Sequence, residues 1–102
     1  MHGAFRQIMT IEELRKEAEY VILSVGDMIY DIRTKSRGFL QSRERRIDIV
    51  KDDIYVWTIF WFSQDKRFDY YNNPSFIEEE GLKISILLGT VIQYSVNGGD
   101  DD

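Results

Sequence analysis

The chain contains no cysteine, one proline and one histidine in its 102 residues. Without cysteine there can be no disulfide, Cys-ligated zinc, iron–sulfur cluster or thiol nucleophile. The one histidine is His2, ahead of any patterned segment. A Ser-His-Asp triad, a Cys–His pair and a His-rich metal site therefore lack their parts. No Walker A loop, G-x-G-x-x-G or EF-hand spacing occurs either, so neither a cofactor nor a metal is expected. The longest apolar run, Ile54 to Phe62, contains Thr58 and spans nine residues, against about 20 for a helix that crosses a bilayer. Met1 to Met9 has no apolar core of a targeting peptide, so the expected compartment is the cytoplasm and no membrane partner is expected.

Hydrophobic residues make up 43% and charged residues 30%, which fits a folded chain and argues against disorder. The length suits a single core. Residues 1–9 read as an extension, 10–96 as one domain, and 97–102, ending in three aspartates, as an acidic tail.

Thr10-Ile-Glu-Glu13 reads as a capping box, with Met9 and Leu14 placed for a hydrophobic staple. Apolar residues then fall at Ile11, Leu14, Ala18, Val21, Ile22, Val25, Ile29 and Ile32. These steps of three and four predict one long helix from Thr10 to about Thr34, with Gly38 as its stop. Beyond it, Arg45–Lys51 alternates as a strand, Lys51-Asp52-Asp53 is a polar turn, and Ile54–Phe62 is the strongest strand in the chain. Ser63–Lys66 would close a hairpin into a strand at Arg67–Tyr71. Pro74 would start a one-turn helix over Ser75–Glu80, stopped by Gly81. Leu82, Ile84, Ile86, Leu88, Thr90, Ile92, Tyr94 and Val96 keep period two. We read them as one long strand bulged at Gly89, in preference to a hairpin turning at Gly89-Thr90. The expected fold is α+β: one long N-terminal helix packed on a curled antiparallel sheet of about four strands. Its outline is that of cystatin-like and nuclear-transport-factor-2-like folds, an analogy of shape without a shared motif.

Charge and aromatic content are both uneven. The net charge is −5, which weighs against indiscriminate binding to nucleic acid or membranes. Yet Arg33, Lys35, Arg37, Arg43, Arg45 and Arg46 face only Glu44 within residues 33–46, giving +5 there and −10 elsewhere. Of the two tryptophans, six tyrosines and six phenylalanines, eight fall within residues 55–71. Alternation directs Tyr55, Trp57, Ile59 and Trp61 to one face of their strand and Ile54, Val56, Phe60 and Phe62 to the other. A strand apolar on both faces needs cover on both, and one helix covers one.

These features predict a non-enzymatic interaction protein that binds another protein or a second copy of itself. Tyr55, Trp57, Trp61 and Tyr70 are the expected anchors, and the run Glu78, Glu79 and Glu80, placed at the end of a one-turn helix, is the expected acidic contact. Small, acidic, cysteine-free chains of this kind are common among phage-encoded accessory, inhibitor and immunity proteins, an association rather than a derivation. One alternative is a small-ligand or isomerase-like cone with Asp48, Asp53 or Asp69 as an inward-facing base. The other is nucleic-acid contact through the basic residues of 33–46.

Overall fold

A computed structural model of the protein describes residues 9–50, 52–64 and 72–95. The extension before Met9, Tyr70, Asp69, the strand expected at Arg67–Tyr71 and the acidic tail lie outside these residues. Within them the fold is α+β: an open five-stranded antiparallel sheet with two helices.

Helix α1 spans Ile11–Ala18 and opens with the predicted capping box. The Glu13 amide donates to Thr10 Oγ1 and the Thr10 amide donates to Glu13 Oε1. The helix stops far short of Thr34. Val21, Ile22, Val25 and Ile29 are β-branched and propagate a helix poorly, and Gly26 takes φ 96°, which no α-helix accommodates. What reads as the rest of the helical stripe is a loop followed by strand β1, Met28–Asp31, with Ile29 in the core.

Strand β2, Ser36–Asp48, and strand β3, Asp52–Ser63, form a long hairpin. Gly38, expected as a helix stop, lies inside β2. The register shifts between Leu40 and Ser42, so Gln41 is a bulge and the side-chain phase inverts there. Arg43 consequently sits opposite Trp57, on the same face as Leu40.

Strand β4, Ser75–Glu78, follows a cis Asn73–Pro74 bond and pairs with β3. Helix α2, Glu79–Leu88, and strand β5, Val91–Tyr94, replace the expected long strand. Period two gave the wrong answer because the apolar residues of this short helix extend beyond its core-facing side: Leu82 is buried, whereas Leu87 and Leu88 are exposed. Gly89 does not bulge a strand. It takes φ 83° as the left-handed C-cap, its amide donating to the Ile86 carbonyl. Gly81 lies within the helix.

The strand order is β4-β3-β2-β1-β5. The core lies on the helix side of the sheet: Ile29, Leu40, Trp57, Ile59, Trp61, Leu82 and Val91, with Leu23, Ile77 and Ile86 packed against it.

Candidate interaction face and the polar cluster behind it

Two places gather the residues that sequence singles out. The first is a polar cluster on the helix side. The bulge at Gln41 delivers Arg43 to this side, and α2 begins directly above it. The Arg43 guanidinium grips Glu79 in a fork, Nε to Oε1 at 2.6 Å and Nη2 to Oε2 at 3.0 Å. Trp57 Nε1 donates to the same Oε1 at 2.8 Å, and Lys83 Nζ stands 3.8 Å from Oε2. Arg43 also lies 3.7 Å from the ring centre of Tyr55. Hydrogen bonding to Arg43 holds the Glu79 carboxyl below its ordinary range, against the opposing effect of burial, with Trp57 and Lys83 adding to the shift. The pairing raises the Arg43 guanidinium in turn.

Glu79 and Glu80 occupy the first turn of α2, where negative charge is favoured by the helix dipole. This corrects the expectation of a run at the end of a one-turn helix. Glu80 stands 3.5 Å from Arg15 of α1, and Glu78 is the N-cap residue. The groove between the helices is lined by Arg15, Glu19, Glu79, Glu80 and Lys83; Arg15 and Glu80 pair across it, and Lys83 and Glu79 pair along α2. A carboxylate held below its ordinary range is a weaker proton acceptor, whereas a general base is tuned up toward the working pH. Asp53 is a half-exposed partner of Arg45 at 3.1 Å. Among the described residues no three His, Cys, Asp or Glu side chains gather as metal ligands.

Trp57 and Trp61 are the core of the sheet, 2% and 4% exposed, so neither is placed as a surface anchor. Trp61 is pinned on all sides. Its Nε1 donates to Ser75 Oγ at 3.0 Å, while its backbone N–H and C=O pair with the side-chain amide of Asn73, both at 2.8 Å. Tyr55 is half-buried beneath Arg43.

The basic segment is divided by the same bulge. Arg33, Lys35 and Arg37 lie at the β1–β2 end, with Arg33 bound to the buried carboxylate of Asp31 and Arg37 stacked on Tyr30. Arg43, Arg45 and Arg46 lie toward the other end of the hairpin, facing Glu79, Asp53 and Glu44. Two buried acids, Asp27 and Asp31, went unnoticed in the sequence. Asp27 Oδ2 accepts from the Ser24 amide and from Gln93 Nε2, which ties the loop to β5. No short-range pattern marks such a long-range pairing.

The second place is the sheet face away from the helices. Tyr94, Met28, Phe39 and Phe60 form one row straight across four strands. Phe62 stacks on Phe39 at 6.5 Å, Phe76 lies beside Thr58 in the next row, and Ile92 pairs with Tyr30. Phe62, Phe76 and Tyr94 are 48%, 58% and 54% exposed. Among the described residues no helix or strand covers this face. Sequence alternation had assigned Phe60 and Phe62 to it; Tyr94, Phe39 and Phe76 become visible only once the strands are ordered. No helix among the described residues is long and apolar enough to cross a membrane. No protein-family model, curated protein or solved structure matches the chain.

Proposed function

We propose that the protein is a non-enzymatic binding module that docks another protein chain on its outer sheet face. The observation that carries this reading is the open aromatic row Tyr94–Met28–Phe39–Phe60, flanked by Phe62, Phe76 and Ile92. Their exposed fractions amount to a patch on the order of 500 Å², within the range of the largest apolar patch on a soluble domain, which is often functional. Burying the two tryptophans inside removes them as anchors, and the outer face stays aromatic nonetheless. Phe60, Phe62, Phe76 and Tyr94 take the anchoring role. The acidic and basic residues around the patch set orientation and encounter rate rather than most of the affinity.

Affinity capture with the wild-type chain beside a Phe62→Asp, Phe76→Asp variant tests the reading. Both positions are exposed, so the variant is expected to keep its circular dichroism spectrum and melting transition while losing the bound proteins. An unchanged set of bound proteins would overturn it.

A further inference from the structure

We infer that the outer face reads an extended segment of a partner protein in which a carboxylate stands two residues from an aromatic or large aliphatic side chain. The inference rests on the docking role of that face and names the chemistry it selects.

Arg37 selects the carboxylate. Six arginines lie among the described residues. Five of them hold a carboxylate of this chain: Arg15 with Glu80, Arg33 with Asp31, Arg43 with Glu79, Arg45 with Asp53 and Arg46 with Glu44. Arg37 has no such partner among the described residues, in a chain whose net charge is −5. Its neighbours across the strands are Tyr30 and Ser63, and the buried Asp31 at the same end is already bound by Arg33. The Arg37 guanidinium instead lies 4.8 Å from the centre of the Tyr30 ring. A guanidinium stacked on a ring keeps the N–H groups of its own plane free for a two-point grip on a carboxylate. Lys35, two residues earlier, is exposed and also lacks an ion pair among the described residues. This end of the face therefore carries positive charge that the described chain does not cancel.

The groove beside Arg37 selects the apolar side chain. Met28, Ile29, Tyr30, Arg37 and Tyr94 line a volume of about 350 Å³. Tyr94 and Met28 belong to one row across the sheet, Tyr30 and Arg37 to the next, and the rows are two residues apart along each strand. In an extended segment, side chains two residues apart project to the same side, about 6.6 Å from each other. A segment laid along β1 thus sets one side chain between the tyrosines and the other on the guanidinium.

The surroundings argue against a run of phosphates as the occupant. Glu44 and Glu78 stand farther along the same face. With the chain's net charge of −5, they favour a single carboxylate on an apolar body over a polyanion.

Titration of a blocked peptide, acetyl-Gly-Phe-Ser-Asp-Gly-amide, into the isotope-labelled full chain tests the inference by amide NMR shifts. Saturable shifts are expected at Met28, Tyr30, Arg37 and Tyr94. The peptide is expected to bind about tenfold more tightly than its counterpart with Asn in place of Asp, the difference made by one charge-assisted contact. That comparison uses the wild-type chain and so depends on no variant folding. Arg37→Gln, at an exposed position, is expected to keep the circular dichroism spectrum and to erase the preference. Ala in place of Phe in the peptide is expected to abolish saturable binding. Equal binding of the Asp and Asn peptides, or a preference that survives Arg37→Gln, overturns the inference. So does a wild type that sediments as a dimer and becomes monomeric in Arg37→Gln, since a second copy then fills the groove. A captured protein lost in Phe62→Asp, Phe76→Asp but kept in Arg37→Gln would overturn this partner chemistry alone and leave the docking role standing. Peptide binding at Arg37 beside capture indifferent to Phe62→Asp, Phe76→Asp would do the reverse.

Discussion

Gly38 lies beneath Trp61 because no other residue leaves room for the indole. A Cβ at this position would stand 2.6 Å from the Phe60 carbonyl oxygen and 2.8 Å from the Trp61 ring. The obstacle is backbone on one side and a fully enclosed ring on the other, so neither can give way cheaply. Gly38→Ala is expected to cost about 1–3 kcal/mol, read from urea unfolding. Glu79 is the other residue with a role larger than its size, since it accepts from Trp57 inside the core and from Arg43 at its edge. Because its folded carboxyl titrates below the ordinary range, its stabilisation is complete above the unfolded value of about 4.3 and is lost as pH falls through the depressed folded value. Glu79→Gln should therefore lower the melting temperature at pH 7, and the gap between variant and wild type should close on acidification toward pH 3. A gap independent of pH would show that ionisation of Glu79 contributes nothing.

At the scale of elements, Leu82–Leu88 makes the clearest demand on experiment. As a strand, Leu82, Ile84, Ile86 and Leu88 would share one face; as helix α2, Leu82 is enclosed and Leu88 is 60% exposed. Leu82→Ala is expected to cost about 2–5 kcal/mol and Leu88→Ala no more than about 0.5 kcal/mol. Equal losses would refute the helix. The short strand β4 is extended by a side chain acting as backbone. Asn73 both donates to and accepts from the main chain of Trp61, where β4 has already ended its pairing at Ser75. Removing it by Asn73→Ala leaves both groups of a buried residue without that partner, an expected loss of about 1–3 kcal/mol in the same unfolding assay.

For the whole molecule, the order β4-β3-β2-β1-β5 brings the last described strand beside the first. Val91 joins the core opposite Asp31, and Gln93 Nε2 donates to the Ile22 carbonyl and to Asp27. A chain ended at Leu88 would leave β1 as a bare edge and open the core at Val91. It is expected to lose its cooperative thermal transition, which calorimetry would show directly. The sheet also divides its aromatics between two faces: Trp57 and Trp61 close the core, while Phe60, Phe62, Phe76 and Tyr94 remain exposed.

Sequence alone determined what depends on neighbours a few residues apart. The capping box at Thr10, the strand at Ile54–Phe62 with its two apolar faces, and the mixed α+β class all follow from local hydrogen bonding and side-chain alternation. It failed where one pattern satisfies two geometries. Val21–Ile32 keeps helical spacing yet turns at Gly26, and Leu82–Leu88 keeps strand spacing yet coils above the sheet. Tertiary structure decided those cases, because the helix-side face of β2 and β3 needed Leu82 and Ile86 as cover and β1 needed Ile29 in the core. It also decided which aromatics of the sheet are enclosed and which stay exposed. Burial depends on the number of elements a face receives, and that number is a property of the assembled sheet rather than of any segment within it.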